Sequence, residues 1–389
     1  MPLNFVFRCL VVALLLSSIS EKLHAIEVRV RVLSNQSSLT LDSSYLRMTP
    51  LSDQCSHPKI RLSAKNTRII IRLLPTKRRW SLFNLESKQS CEIESDKLSL
   101  HGTNIKINQK RFSNKIILSP QGLGFNVIAE LDIEKYLVGV LTKEMPSQFP
   151  LEAFKAQAIA SRSYALKKIL SSKTKSYDLE SSVTDQMFEF SKGTEKIKSA
   201  IFETKNTVLE NDKGQLFSVY YHANCGGRTE EPSDVWGNGE KIGSVKDEAC
   251  PNEGHSHWNF NISKFELTAR LRVILQLGDA QIVSIEEFEN TNSGRKKSLQ
   301  FILDDHSVRI ISGQQLRNIL GFDRLKSTMF AFNERGDHFV FEGQGHGHGV
   351  GMCQWGARHL ALSGESFKRI LIHYFPQARL AQISKTLLN

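Results

Sequence analysis

The hydrophobic periodicity of the chain changes near residue 130, and this change constrains the fold more than any other feature. Before it, apolar and polar residues alternate in short runs such as Val28–Val32, Arg68–Arg72 and Ile105–Ile107. Alternation with a period of two is typical of strands that have one buried face. Turn residues separate these runs and no helical period is evident, so residues 26–130 are predicted to form a β-rich accessory region.

The following part, residues 131–380, is predicted to mix helices and strands. The alanine-rich segment from about 151 to 170 has the composition and apolar spacing of a helix. Similar patterns predict further helices near 313–320, 353–363 and 365–373, and strands near 216–221, 298–303 and 338–342. The predicted fold class is therefore α+β, with a β-rich N-terminal region followed by a mixed α/β domain.

The first 25 residues have the features of a secretory signal. Arg8 supplies a positive flank, the apolar run Leu10–Leu16 follows it, and Leu23-His24-Ala25 is a small-residue cleavage site. No later segment approaches the roughly 20 apolar residues that a membrane span needs. We therefore expect residues 1–25 to be removed and the mature protein to be exported, periplasmic or secreted, without a transmembrane span; an uncleaved anchor is the alternative.

The net charge of +11 indicates an anionic partner. Nucleic acid is not the expected one, because the basic residues are scattered and lack interleaved aromatic residues. The densest basic cluster, Lys77–Trp80, is predicted to be a turn between strands. For an exported protein, an anionic cell-wall polymer or a membrane surface is the expected counterpart.

The cysteines fit an oxidising compartment. Once Cys9 leaves with the signal, five remain: Cys55, Cys91, Cys225, Cys250 and Cys353. Proximity in the sequence favours two disulfides, Cys55–Cys91 and Cys225–Cys250. The remaining cysteine, Cys353, is then expected to be a buried free thiol.

Zinc is the alternative for the second cysteine pair. His222, Cys225 and Cys250, with His255 or His257, offer the ligand types that zinc prefers. The wide gap between the two cysteines is not typical of a zinc motif, and the disulfide is favoured. No metal or other cofactor is therefore predicted.

Glu144 stands where a strand-like apolar run, residues 136–141, is predicted to meet the start of a helix. Pro146 and Pro150 break the extended run before that helix. A carboxylate on a short turn between two packed elements can be held rigidly and still face a cleft, as a general acid must. The alternative is a solvated glutamate that the helix dipole stabilises.

Arg162 lies on the apolar face of the same predicted helix. An arginine there is unfavourable unless it meets a carboxylate, and Glu144 and Asp185 are the candidates. The alternative is an arginine that reaches solvent at the helix edge.

A glycine-rich loop, residues 343–351, precedes another predicted helix. Its glycines allow a close approach of the backbone to a ligand, and it holds His346 and His348. The spacing is not that of a nucleotide-binding loop. Two histidines alone are too few for a metal site, so hydrogen bonding to a polar substrate is the preferred interpretation.

Four segments in this order carry a resemblance to a known family. They are Tyr136-Leu137-x-Gly139-Val140-x-x-x-Glu144-Met145-Pro146, Glu152-Ala153-x-Lys155-Ala156-Gln157-Ala158-x-Ala160-x-Arg162-x-Tyr164-Ala165, His222-x-x-Cys225-Gly226-Gly227-x-Thr229 with Val235-Trp236, and Gly345-His346-Gly347-His348-Gly349-Val350-Gly351-Met352-x-Gln354-x-Gly356-Ala357. Together they resemble the stage II sporulation protein D (SpoIID/LytB) family of peptidoglycan-active proteins. The resemblance extends over roughly residues 125–376.

The resemblance implies a lytic transglycosylase that acts on peptidoglycan glycan strands. A single glutamate, matching Glu144, protonates the glycosidic oxygen and then takes a proton from the C6 hydroxyl of the sugar, which closes a 1,6-anhydro ring. No attacking water is needed, so no second base is required. The expected substrate contacts are Arg162, Tyr164, Asp185, His222, His346, His348 and Gln354.

Two departures from the family pattern leave alternatives open. Some members carry a zinc site just before a Gln-x-aromatic triplet; here Gln186 and Phe188 fit the triplet, but residues 177–185 hold no Cys or His. Asp185 adds a carboxylate, so hydrolysis by water, as in a lysozyme-type muramidase, is a second possible outcome. A non-catalytic wall-binding protein that enhances an amidase is the third. Intact, peptide-stripped and deacetylated glycans are all compatible with the sequence.

Overall fold

The computed structural model describes residues 26–49, 67–74, 79–250 and 256–384. The signal segment, Cys55, the Lys77-Arg78 pair and His255 lie outside these ranges, and the predictions on them stay predictions. Within the described ranges, strands and helices occur together and strands dominate the N-terminal region, which confirms the predicted α+β class. No helix in this part of the chain has the length and apolar character needed to cross a membrane.

Two six-stranded sheets form the N-terminal region, with strands numbered in chain order. The first has the order β12-β1-β11-β10-β7-β3, with strands β1 (Glu27–Gln36), β3 (Tyr45–Thr49), β7 (Leu98–Thr103), β10 (Lys115–Gln121), β11 (Gly124–Asp132) and β12 (Leu179–Glu180). The second has the order β6-β5-β4-β2-β8-β9, with strands β2 (Ser38–Ser43), β4 (Thr67–Leu74), β5 (Arg79–Asn84), β6 (Ser90–Glu94), β8 (Lys106–Ile107) and β9 (Lys110–Arg111).

The alternating pattern seen in the sequence builds the core of these sheets. In β4, Ile69 and Ile71 are buried while Arg68 and Arg72 are exposed, as a period of two requires. Trp80 and Phe125, one from each sheet, meet edge to face with ring centroids 5.2 Å apart. The two sheets therefore share one hydrophobic core.

Two helices follow directly: α1 (Ile133–Glu144) and α2 (Leu151–Ser171). The prediction that residues 136–141 are strand-like is wrong. Asp132 caps α1 by accepting a hydrogen bond from the Glu134 amide at 2.9 Å. The buried side chains of α1 fall four residues apart, in the pairs Tyr136/Val140 and Leu137/Leu141, which is helical spacing.

Helix α2 is nearly enclosed by the protein, which explains its alanine content, because small side chains let neighbouring backbone approach closely. The hydrophobic core that packs around α2 also contains Val28 and Val30 of β1. Next come α3 (Glu195–Glu203) and β13 (Thr207–Glu210), which pairs with β22 (Arg379–Gln382) near the end of the chain. The β-rich region and the helices are thus packed together through β1.

The rest of the chain forms small sheets and short helices. The strands are β14 (Tyr221–His222), β15 (His257–Ser263), β16 (Ile282–Asn290), β17 (Lys296–Leu303), β18 (Val308–Ser312), β19 (Phe330–Arg335), β20 (His338–Gln344) and β21 (Met352–Cys353). The helices are α4 (Pro232–Trp236), α5 (Lys264–Leu271), α6 (Gly313–Leu320), α7 (Gln354–Leu362) and α8 (Phe367–Tyr374).

These elements confirm the predicted helices at α2, α6, α7 and α8 and the predicted strands at β17 and β20. The strand predicted near 216–221 is largely wrong, since only Tyr221 of that range lies in a strand, β14. Phe217 and Val219 bury their side chains in the core beside α2 and α8, and an isolated bridge at Leu216 is the other pairing in this range.

Candidate active site

Glu144 is the last residue of α1, and its carboxylate is held by three neighbours. The Met187 amide donates to Oε1 at 2.7 Å, and the Tyr221 hydroxyl lies 3.5 Å from the same oxygen. The Gln354 side chain adds a further hydrogen bond. Burial outweighs these contacts and raises the pKa of Glu144 from 4.5 to about 7. Near neutral pH, this carboxyl can therefore both give and take a proton.

Helix α1 positions the Met187 amide through close packing. The Tyr136 hydroxyl donates to Gln186 Oε1 at 2.8 Å, and the rings of Tyr136 and Phe188 stack with centroids 5.2 Å apart. The Phe188 ring can pack this closely because residue 139 is a glycine. A Cβ at position 139 would lie 2.4 Å from Phe188 Cε2. The predicted Gln-x-aromatic triplet thus holds the backbone donor that faces Glu144.

The short parallel strand pair β14–β21 positions Tyr221 and Gln354 next to Glu144. Tyr221 is paired with Met352, and His222 with Cys353, immediately before Gln354. Sequence reasoning named Gln354 but missed Tyr221. The available signal was its position directly before His222, at the start of the His-x-x-Cys-Gly-Gly motif.

A cleft of about 770 Å³ opens close to Glu144, which is not itself among the residues that line it. Tyr221, which contacts Glu144, lines it, and so does Asp185, two residues before Met187. One wall is aromatic: Trp236 is 39% exposed, and its ring centroid lies 4.9 Å from that of Tyr220 and 5.2 Å from that of His348. Basic side chains also line the cleft, namely Lys167, Lys168 and Arg317.

Tyr164 and Asp185, both predicted as substrate contacts, line this cleft and bind each other. The Tyr164 hydroxyl donates to Asp185 Oδ1 at 2.7 Å. Lys168 Nζ lies 2.6 Å from the same oxygen, and the Glu180 amide donates to Oδ2 at 2.8 Å. Both oxygens of Asp185 are therefore held by protein donors, and none of these contacts involves Glu144.

The three predicted histidines lie at different depths. His348 lines the cleft, and burial lowers its pKa, so it is neutral at neutral pH. His222 is buried behind it with a pKa lowered to about 4, mainly by burial; its Nδ1 lies 3.0 Å from the Val350 carbonyl. His346 is exposed, and its backbone amide and carbonyl exchange hydrogen bonds with those of Asn224. It is not among the residues that line the cleft.

Arg162 differs from its predicted role. Its side chain is fully buried and binds Glu134 through two hydrogen bonds of 2.9 and 2.6 Å. A third hydrogen bond goes to the Thr207 carbonyl at 3.0 Å. The predicted carboxylate partner exists, but it is Glu134 on the first turn of α1 rather than Glu144 or Asp185. Arg162 therefore joins α1, α2 and β13 and does not reach the cleft.

The cysteines also differ from the predicted pairing. Cys225, Cys250 and Cys353 are buried and free. Cys225 Sγ lies 3.2 Å from Asp247 Oδ2, and Cys250 Sγ lies 3.6 Å from Cys353 Sγ, whereas a disulfide needs about 2.05 Å. Cys353 lies in the same cluster as the predicted pair, which proximity in the sequence alone does not reveal. Cys91 is buried, and its predicted bond to Cys55 stays a prediction.

The chain is similar to known proteins of one family. Residues 121–210 match the family described as stage II sporulation protein, SpoIID. An uncharacterised protein of Brachyspira hyodysenteriae is 30% identical over 69% of this chain and 72% of its own length. Stage II sporulation protein D of Bacillus subtilis is 26% identical over 66% of this chain and 76% of its own.

The chain belongs to the SpoIID family. The match to the SpoIID domain contains Glu144, Tyr164 and Asp185, but Tyr221 and Gln354 lie beyond it. Residues 242–351 match a second domain whose function is unknown. The amidase enhancer of Bacillus subtilis is 25% identical over 62% of this chain, which spans only 39% of that protein.

Proposed function

We propose that this SpoIID-family protein cleaves peptidoglycan glycan strands as a lytic transglycosylase, with Glu144 as its catalytic acid and base. The observation that carries the proposal is the state of Glu144. Its carboxyl is partly buried and contacts Tyr221, which lines a large cleft; its pKa is raised to about 7, and its neighbours are hydrogen-bond donors rather than a second carboxylate. One residue of this kind suffices for a reaction that needs no attacking water.

The reaction starts with Glu144 protonated. Its proton moves to the glycosidic oxygen as the bond from that oxygen to C1 of N-acetylmuramic acid breaks. The C6 hydroxyl oxygen of the same sugar then forms a bond to C1, and the Glu144 carboxylate takes the hydroxyl proton. The product is a 1,6-anhydro ring, the leaving sugar keeps the first proton, and Glu144 ends as it began.

The cleft has the chemistry expected for a glycan. The exposed ring of Trp236, braced by Tyr220 and His348, offers a flat surface for the apolar face of a sugar. The net charge of +11 favours an anionic polymer. A wall substrate also requires export, so we propose that the predicted signal directs the protein to the periplasm or outside the cell.

Two other functions have specific support. Asp185 lines the same cleft, so a muramidase that uses it to activate water would give reducing ends. Its three donors argue against this role, because they already occupy both of its oxygens and stabilise the ionised carboxylate. The amidase enhancer relative supports a wall-binding protein with an amidase as its partner. The raised pKa of Glu144, which lets its carboxyl give and take a proton near neutral pH, favours an enzyme over this alternative.

Mass spectrometry of purified peptidoglycan digested by the mature protein tests the proposal. We expect 1,6-anhydro ends from the wild type and none from Glu144→Gln. Glu189→Gln is the matched control, because this neighbouring carboxylate is half exposed and pairs with Lys143; it should cleave normally. Reducing ends that Asp185→Asn abolishes would indicate the muramidase. No cleavage of intact, peptide-stripped or deacetylated glycan would favour the amidase enhancer.

A further inference from the structure

We propose that Cys225, Asp247, Cys250 and Cys353 bind one zinc ion, as a structural site next to the proposed active site. The four residues come from three separate segments of the chain and are all buried. Their ligand atoms lie within 4.8 Å of one another. The site shares Cys225 and Cys250 with the zinc alternative considered from the sequence, but Asp247 and Cys353 take the place of its histidines.

The spacing of these atoms fits tetrahedral zinc. With Zn–S bonds of about 2.3 Å, two sulfur ligands of a tetrahedron lie about 3.8 Å apart, and a sulfur and an oxygen about 3.5 Å apart. Cys250 Sγ and Cys353 Sγ are separated by 3.6 Å, and Cys225 Sγ and Asp247 Oδ2 by 3.2 Å. Three soft sulfur ligands and one carboxylate favour zinc over magnesium or calcium.

Asp247 provides an independent observation. Its side chain is 1% exposed. Oδ2 accepts a hydrogen bond from the Tyr374 hydroxyl at 2.7 Å, but Oδ1 has no hydrogen-bond partner among the described residues. The nearest basic group to Oδ1, His373 Nε2, lies 3.6 Å away. A buried carboxylate in this state is unfavourable without a cation, and a divalent ion at the cluster would supply one.

The backbone around the sulfurs is arranged to stabilise thiolates. The amides of Cys225 and Gly356 each donate to Cys353 Sγ at 3.3 Å, and the Gly227 amide donates to Cys225 Sγ at 3.3 Å. Gly227 has a φ of 100°, which favours glycine. Arg295 adds positive charge nearby by donating to the Cys225 carbonyl at 2.6 Å. Hydrogen bonds of this kind hold metal ligands in place and offset their charge.

The position of the cluster gives the ion a role. Cys353 pairs with His222 across β14–β21 and is followed by Gln354, while Tyr221 precedes His222. Both Tyr221 and Gln354 contact Glu144. A zinc ion would therefore fix the two-residue strand pair that carries two of the three neighbours of the Glu144 carboxylate. It would take no part in the chemistry itself.

Metal analysis of the full mature protein, purified in a reducing buffer with zinc, tests the inference. We expect about one zinc per chain, and cobalt in its place should give thiolate-to-cobalt charge-transfer bands with a titration endpoint at one equivalent. Cys353→Ser is the sharpest variant, because serine keeps the helix cap that Cys353 provides through Gly356 and removes one thiolate. It should weaken zinc binding at least about tenfold, whereas Glu144→Gln should bind zinc normally.

Thiol counting on the wild type keeps the test independent of whether Cys353→Ser folds. Zinc should protect three thiols from alkylation, and a chelator should expose them. A protein that binds no zinc under these conditions would overturn the inference. So would a stable disulfide between two of the three cysteines, most directly Cys250 and Cys353, in the protein as exported.

Discussion

Replacing Glu144 by glutamine should stabilise the protein, and the gain should grow with pH. The raised pKa means that the folded protein keeps a proton on Glu144 over a pH range in which the unfolded chain has lost it. The wild type is therefore most stable, with respect to this group, below about pH 4.5, and it loses stability as the pH rises to about 7. Glutamine is neutral at every pH and can still accept the Met187 hydrogen bond.

The size of the effect follows from the pKa. Raising it from 4.5 to about 7 penalises the ionised form by about 3 kcal/mol, since one pKa unit is worth about 1.4 kcal/mol. The free energies of unfolding of Glu144→Gln and the wild type should thus be nearly equal at pH 4. That of the variant should be higher by about 2 kcal/mol at pH 6 and by about 3 kcal/mol at pH 8.

Urea unfolding of both proteins at these three pH values, followed by tryptophan fluorescence, measures the difference. The comparison at pH 4 is the internal control, because both side chains are neutral there and any difference reports on packing alone. A difference that stays constant from pH 4 to pH 8 would refute the reasoning, and so would a wild type that is the more stable protein at pH 8. Either result would mean that Glu144 is well solvated and unsuited to act as an acid near neutral pH.

Three further outcomes are expected. The kcat/KM for glycan cleavage should fall above about pH 7, because the reaction starts from protonated Glu144; a pH profile that stays flat well above this point would contradict it. Trp236→Ala should raise KM roughly tenfold with little change in kcat or in the thermal unfolding midpoint, because the ring is 39% exposed; an unchanged KM would remove Trp236 from the glycan site. Gly139→Ala should destabilise the protein by about 1–3 kcal/mol and lower kcat, because a Cβ only 2.4 Å from Phe188 Cε2 would displace the Met187 amide; full activity in this variant would show that the amide is not needed.

Periodicity and motif spacing predicted much of the fold and of the site. The alternating runs became strands, and the alanine-rich segment became α2. Tyr164, Asp185 and His348 lie at one cleft, and Gln354 lies at Glu144. The strand and helix predictions are confirmed because they depend on local pattern, whereas the role of these four residues as substrate contacts stays a prediction.

The differences arose where distant segments meet. The β-compatible residues of α1 are helical because Asp132 caps them and their buried face repeats every four residues. Arg162 does bind a carboxylate, but its partner is Glu134 rather than Glu144 or Asp185, which were predicted from the motifs. The third cysteine joined two others from more than 100 residues away, a contact that proximity in sequence cannot indicate.

Strand β1 has a consequence for how this protein can be cut or recombined. Val28 and Val30 pack into the core of α1 and α2, while β1 itself pairs with β11 on one side and with β12, just before Asp185, on the other. A truncated protein that starts after residue 130 would expose that core and leave β12 without its neighbour. Truncated or chimeric versions of this protein should therefore keep the β-rich region with the helices, since removing it would uncover their shared core.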